Sequence, residues 1–246
     1  MKLKQLIPLT FLITVVVCSC KKENNSNPVP VKRNLLTKVV DYAGNDTTVA
    51  PVYTENYYYD TLNRLLSIST FQPGVAIIMM STHDSTVYNY NGTDTLPFRS
   101  TTYDPMFGIS TNSFVYDNSG RIISENGSIN YTYSSNQIVI IGDDNDTLTY
   151  DEHNITQDIT DDDPTDPSAR GVQAIQFSTL RNPYSLVNIN RHIPYIIYFG
   201  YYGFLLNENA LSQVNGTVTF QYDYIEDGLP GKATISGTGK EYYYYK

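Results

Sequence analysis

The chain has 246 residues and a formal net charge of −9; 17% of its residues are charged, 23 are tyrosine and none is tryptophan. That length suits one large all-β domain or two small ones. An acidic chain without clustered Lys and Arg excludes nucleic acid as a partner, because neutralising phosphates needs basic residues gathered on one face.

The first twenty residues read as an address. MKLK is a positive start, and LIPLTFLITVVV is an apolar run too short to cross a bilayer comfortably. The run ends in Val17-Cys18-Ser19-Cys20, which resembles the bacterial lipobox: aliphatic three residues before the cysteine, small one residue before it. Cys20 fits better than Cys18, which would put Val17 where a small residue belongs. An ordinary signal peptide or an uncleaved anchor is the alternative. The expectation is a lipoprotein signal peptide over 1–19, a lipid on Cys20 and a flexible tether over 20–33, polar and proline-punctuated. No thiol then remains for a disulfide, a metal or catalysis. The charged residues after Cys20 resemble the export tags of surface lipoproteins in Bacteroidetes-type bacteria. That resemblance implies an outer-membrane location, on the cell surface rather than the periplasmic face.

From residue 34 onward the pattern is strand, turn, strand. NLLTKVVDY, TTVAPVYTENYYYD and LLSISTF alternate apolar and polar residues, with Asn, Gly and Asp between the runs. The same grammar returns in STVYNYNGTDTLPF, SFVYDNSGRIISENGSINYTYS, NQIVIIGDDNDTLTYDEHNITQ and GTVTFQYDYIEDGLPGKATISG, and EYYYYK reads as a closing strand.

A unit recurs: aromatic-x-Tyr-Asp, a short turn, then an apolar strand. Copies centre on Tyr59-Asp60, Tyr116-Asp117, Tyr150-Asp151 and Tyr222-Asp223. Tyr fits a half-buried pleated face, and Asp can accept from backbone amides two residues on to close an Asx-type turn. Gly120 can take the positive φ the turn needs. Arg64 or Arg121 opens the return strand, and Asn126-Gly127 signals the next hairpin. YYYDTLNRLLSI and FVYDNSGRIISENGSINYTY resemble the YD repeats of Rhs and teneurin-type proteins, and more closely the small uncharacterised YD-repeat lipoproteins of Bacteroidetes-type bacteria. The Asp151 copy lacks the glycine and arginine, and the Asp223 copy carries an insertion. The resemblance implies an all-β fold: a curved antiparallel meander sheet of YD-type hairpins that can roll into an open barrel.

The segment 178–214 breaks the grammar with an Asn-Pro-Tyr start, Pro194 and an apolar run over 193–206. It reads as a short helical or irregular plug that covers the greasy face of the sheet, with a ligand groove as the alternative.

Chemistry is sparse. His83, His153 and His192 share no short spacing, and neither a Gly-x-Ser-x-Gly elbow nor a phosphate-cradling loop occurs. GDDNDT and DITDDDPTDP are oxygen-rich. Asp158, Asp161, Asp162, Asp163 and Asp166 are the calcium candidates, with a solvated acidic loop as the alternative. GDDNDT also reads as a hairpin turn. Thr47, Thr61, Ser85, Thr95 and Thr147 each follow Asp and resemble the O-glycosylation signal of exported proteins in the same bacteria; turn grammar explains them equally. Paired acids such as Asp161 and Asp163 lack an identifiable general acid, so no enzyme and no cofactor beyond calcium is expected. The reading is an outer-membrane lipoprotein carrying a single non-catalytic binding or structural β module. Its expected partners are the membrane through the lipid, and an envelope protein or glycan. The alternative is a glycan-binding accessory protein of a polysaccharide capture system.

Overall fold

A computed structural model describes residues 35–44, 46–73, 82–142, 145–151, 154–161, 170–187, 208–225, 229–237 and 239–246, with backbone alone at 82, 160–161 and 170–173. Sixteen antiparallel strands follow one another around a closed barrel. The first eight are β1 Leu36–Ala43, β2 Tyr53–Tyr59, β3 Leu65–Gln72, β4 Thr82–Tyr90, β5 Pro97–Asp104, β6 Gly108–Tyr116, β7 Ile122–Glu125 and β8 Ile129–Tyr133. The second eight are β9 Gln137–Ile141, β10 Asn145–Tyr150, β11 Ile155–Asp161, β12 Arg170–Arg181, β13 Asn209–Val214, β14 Val218–Tyr224, β15 Pro230–Ile235 and β16 Gly239–Tyr245. Every strand pairs with its sequence neighbours except at the seam, where β1 pairs with β16 from Leu36–Tyr245 to Ala43–Gly239. The expected sheet is therefore present, but closed rather than open. EYYYYK supplies the closing strand, and closure satisfies the backbone donors and acceptors that two edges would have left unpaired.

Three of the four Tyr-Asp units, at Asp60, Asp117 and Asp151, lie at one rim of this barrel. In the turn after β2, the Asp60 carboxylate accepts from the Leu62 and Arg64 amides, both at 2.9 Å, and from Arg64 Nε at 2.7 Å. Asp117 repeats this with the Ser119 and Arg121 amides and with Arg121 Nε, all at 2.8–2.9 Å. Left-handed backbone is needed at the same place in each turn, and Asn63 (φ 59°) and Gly120 (φ 77°) supply it. At the opposite rim Asn126 and Gly127 both have positive φ, the two-residue hairpin turn that the sequence signalled.

The tyrosines themselves tie strands together. The hydroxyls of Tyr59, Tyr90, Tyr116, Tyr133 and Tyr245, each the last residue of its strand, donate to the carbonyls of Leu36, Leu65, Pro97, Ile122 and Pro230, each the first residue of the preceding strand. Tyr150 does the same to Ser134, just ahead of β9. Turns join β2 to β3, β4 to β5 and β6 to β7, while hydroxyl ties join β1 to β2, β3 to β4 and β5 to β6. Turn and tie thus alternate around much of the tyrosine rim. Arginines extend the pattern: the Arg64 guanidinium lies 4.4 Å from the Tyr90 ring and that of Arg121 lies 4.6 Å from the Tyr133 ring. Replacing Tyr116 with Phe keeps the ring and removes one tie, so urea unfolding should show a loss of about 1 kcal/mol. Tyr58→Phe, on the exposed outer face, should lie within error of the parent. Equal losses in the two variants would argue against the tie.

A second repeat lies beside the first. The register slips between Tyr58 and Tyr59, Asn89 and Tyr90, Val115 and Tyr116, Thr149 and Tyr150, and Asp223 and Tyr224. Each slip leaves one extra residue on the return strand: Leu66, Phe98, Ile123, Thr156 or Gly231. The residue before it (Leu65, Pro97, Ile122, Ile155 or Pro230) is buried. These are β-bulges, and they add local bend and twist at this rim.

The core runs along the inside of the barrel, from Leu36, Leu65, Ile122 and Ile155 at the tyrosine rim through Val39, Ile68 and Leu148 to Phe114 and Ile140 beside the acids Glu125 and Asp146. Part of the expected plug is visible there. Pro183–Leu186 forms a buried 3-10 turn, capped by the Asn182 side chain accepting from the Tyr184 amide at 3.1 Å. The apolar run over 193–206 lies outside the described residues. Among the described residues no α-helix occurs.

Candidate functional site

Pairing fixes which side chains enter the lumen. In β2 the buried Glu55 and Tyr57 share a face, and their neighbours Asn56 and Tyr58 point away. Glu241 is across from Asp41, Glu125 is across from Phe114, and Asp158 is across from Leu148. By the same alternation Asp84 and Asp146 face inward with Tyr88 and Leu148. Seven carboxylates, Asp41, Glu55, Asp84, Glu125, Asp146, Asp158 and Glu241, therefore line the lumen. Most occupy the strand ends far from the tyrosine rim. The described lysine and arginine side chains lie on the outer face or at the tyrosine rim, as where Lys232 pairs with Asp223 and Lys38 packs over Tyr244.

The best-defined group spans β16, β1 and β2. Glu55 is 2% exposed; it accepts from Tyr53 Oη at 2.6 Å and from Tyr57 Oη. Tyr184, carried in by the buried 3-10 turn, donates to Glu241, and its ring meets Tyr243 edge-on at 6.1 Å. Asp41 Oδ1 is buried without a hydrogen-bond partner. Burial first, then the charges of Glu241 and Glu55, push Asp41 up to about 8. Burial likewise raises Glu241 to about 7 against hydrogen bonds from Tyr184 and Tyr243 that favour its ionised form. Glu55 is also raised by burial, and so are Tyr53, Tyr57 and Tyr243. The physical cause is shared: a carboxylate in low dielectric with only neutral hydroxyl donors keeps its proton longer. On β7, Glu125 is 1% exposed; Tyr131 Oη bonds its Oε2 at 3.3 Å, and its Oε1 has no partner.

The residues singled out in the sequence fall elsewhere. Tyr59, Asp60, Arg64, Tyr116, Asp117, Gly120 and Arg121 belong to the tyrosine rim. Tyr150 joins them, while Asp151 closes a shorter turn by accepting from the Asn154 amide at 2.6 Å. Tyr222 and Asp223 lie within β14, paired with Ala233 and Lys232. The rim position there belongs to Tyr224, and the Ile225 amide donates to the Leu229 carbonyl as the Asp60 amide does to Arg64. Asp158 sits in β11 with 4% exposure, so it belongs to the lumen rather than to a surface loop. Asp161 ends the same strand, and Asp162, Asp163 and Asp166 lie outside the described residues. Among the described residues no three His, Cys, Asp or Glu side chains are placed to hold a metal ion. Asp146 is in β10, while Asp143 and Asp144 of GDDNDT lie outside the described residues between β9 and β10. His83 packs edge-on against Phe71 at 4.4 Å, and His153 and His192 lie outside the described residues. Thr47, Thr61 and Thr95 are exposed in turns, whereas Ser85 and Thr147 are half-buried on strands. Cys20 precedes the described residues.

Apart from Asp146 and Asp158, the lumen carboxylates were not singled out by sequence, and neither were the rim tyrosines Tyr90, Tyr133 and Tyr245. The tyrosines carry a readable signal, a strand-final Tyr before Asn91-Gly92, Ser134-Ser135 or the chain end. Glu55, between Thr54 and Asn56, carries a weaker one: an acid on the apolar side of an alternating strand.

No protein-family model matches the chain, and no curated protein matches it. Among solved structures, the chain is similar to a porin-like protein from Bacteroides uniformis at 12% identity and a TM-score of 0.41, over 86% of this chain and 98% of that one.

Proposed function

We propose that this chain is a lipid-anchored, non-catalytic β module of the outer membrane, related to the small YD-repeat lipoproteins, that binds an envelope component. The orientation of the strands is the observation that carries this reading. β7, β8 and β9 have four, five and five residues, whereas a membrane-crossing strand needs about 9–11. Serine, threonine and asparagine recur on the outer face between sparse apolar side chains such as Leu66, Ile109, Val115 and Ile123, unlike the continuous apolar band of a barrel bathed in lipid. Contact with the membrane then falls to the lipid on Cys20 rather than to the strands. The chain enters the barrel at the tyrosine rim, where Leu35 and Lys246 exchange two backbone hydrogen bonds of 3.0 Å. That leaves the acidic end of the lumen as the binding end. The outer-face tyrosines Tyr58, Tyr103 and Tyr244 favour the second reading, a glycan-capture accessory, because exposed aromatic faces stack on sugar rings.

Detergent phase partitioning and intact mass of the native protein test the anchor together. The parent should enter the detergent phase with a mass increment for acyl chains at Cys20, and Cys20→Ala should stay aqueous without it. Hexose-sized increments would add O-glycosylation at Thr47, Thr61, Ser85, Thr95 or Thr147. Detergent-phase recovery of Cys20→Ala equal to the parent would defeat the lipid reading.

A further inference from the structure

We propose that the tyrosine rim is a membrane-docking end, its outer edge seated in the headgroup layer of the bilayer that holds the lipid on Cys20. This rests on the anchor reading and adds a second, shallower contact to it. The first observation is where the outer apolar side chains lie. Tyr58, Val115 and Tyr244 each stand one residue before a rim tyrosine, and Leu66, Phe98 and Ile123 are the extra residues of three bulges. All six are 38–52% exposed, and together they follow the outer face from β16 round to β7. On β1 and β4, within that span, the same place holds Lys38 and Asn89. On the other side of the barrel it holds Thr132, Thr149, Thr156 and Asp223, so the apolar residues form an arc on one side.

Cations are set among these rings. Lys38 lies 5.7 Å from the Tyr244 ring, Arg99 lies 5.8 Å from the Phe98 ring, and at the rim Lys246 lies 4.8 Å from the Tyr59 ring. That mixture suits the headgroup layer, where rings sit at the boundary with the acyl chains and Lys and Arg reach the phosphates. Asp60 and Asp117 at the same rim are paired with Arg64 and Arg121, which offsets their repulsion of phosphate. The second observation is the entry point. Leu35 and Lys246 are joined by two backbone hydrogen bonds at this rim, beside β1 and β16 and so inside the arc. Leu35 is fifteen residues on from Cys20, a reach of at most about 50 Å, so the lipid keeps this edge at high local concentration against the membrane. Shape favours lipid over a protein partner. The arc curves around the barrel, so no flat protein face meets all of it, whereas a fluid headgroup layer closes around a rim standing roughly 5–10 Å deep. No strand crosses the bilayer.

The test uses the lipidated protein in vesicles of phosphatidylethanolamine and phosphatidylglycerol, with an environment-sensitive dye on one introduced cysteine. That cysteine is the free thiol once 1–19 is removed and Cys20 is acylated. At Tyr58→Cys and Ile123→Cys the dye should shift to the blue on reconstitution. Phospholipid spin-labelled near the headgroup should quench it several-fold more there than at Ile109→Cys, which lies on the outer face by the opposite rim. If either rim variant does not fold, the other gives the same reading. Quenching at 109 equal to that at 58 and 123 would overturn the proposal. So would a blue shift at 58 and 123 without quenching, the mark of a second copy or another protein on the arc. A chain that does not float with the vesicles overturns the anchor and this inference with it; a chain that floats with no quenching at 58 and 123 overturns this inference alone.

Discussion

The barrel should lose stability as pH rises from about 5 to 9, the reverse of what acid-sensitive surface ion pairs produce. In the folded chain Asp41 is pushed up to about 8 and Glu241 to about 7, and Glu55 and Glu125 are raised as well, in each case first by burial. A carboxyl with a raised folded pKa holds its proton when the unfolded chain has already released it. Its contribution is fully present below the unfolded value near 4 and is lost as pH climbs through the folded value. A tenfold difference in proton affinity between folded and unfolded chain corresponds to about 1.4 kcal/mol, so these acids together can withdraw several kcal/mol by pH 9. Melting of a chain this size should fall by on the order of 10 °C across that range. Asp41→Asn removes the titration centred at about 8 and should flatten the upper part of the curve. A Tm that is level or rising from pH 6 to 9 would contradict the buried, uncompensated state of these acids. On the acid side, Asp60 and Asp117 work in the opposite sense. Burial opposes ionisation of Asp60, but the hydrogen bonds from Arg64 and Leu62 outweigh it; at Asp117 the Arg121 amide leads, and both pKa values are lowered. The turns therefore weaken as pH falls below their range, and stability should peak near pH 5.

Adjacent apolar residues on the return strands should behave as opposites. Leu65 and Ile122 are 0% exposed, whereas Leu66 and Ile123 are 43% and 38% exposed. Truncating Leu65 or Ile122 to Ala leaves a cavity under the tyrosine rim and should cost about 3 kcal/mol in denaturant unfolding. Leu66→Ala and Ile123→Ala should cost about 0.5 kcal/mol or less. Matching losses within either pair would mean that the bulge does not turn the second residue outward.

Those pairs also mark where the sequence stops being readable. Alternation located the strands, and Tyr-Asp with Asn63 or Gly120 located the turns, because each depends on residues a few positions apart. In LLSIS and RIISE, alternation alone cannot say which apolar neighbour is inside; the bulge decides, and it is a property of two paired strands. The Tyr222-Asp223 unit looks like its fellows yet lies two residues short of the turn, since it is the register with β15 that sets where β14 ends. The candidate site was less legible still. Asp41 in VVDY and Glu241 in KEYYYY read as ordinary strand-end or surface acids. They become neighbours only because β1 closes on β16, a pairing that no local window contains.

That seam has a kinetic meaning. Every other strand pairs with the one just before or after it, so hairpins can form as soon as their residues are available. The seam joins positions such as Thr37 and Tyr244, 207 residues apart, and its loop-closure entropy is met only after the last strand has arrived. Until then the growing sheet carries two open edges, so the final strand acts as a latch: the sheet is held in an incomplete, adhesive form until EYYYYK snaps into place.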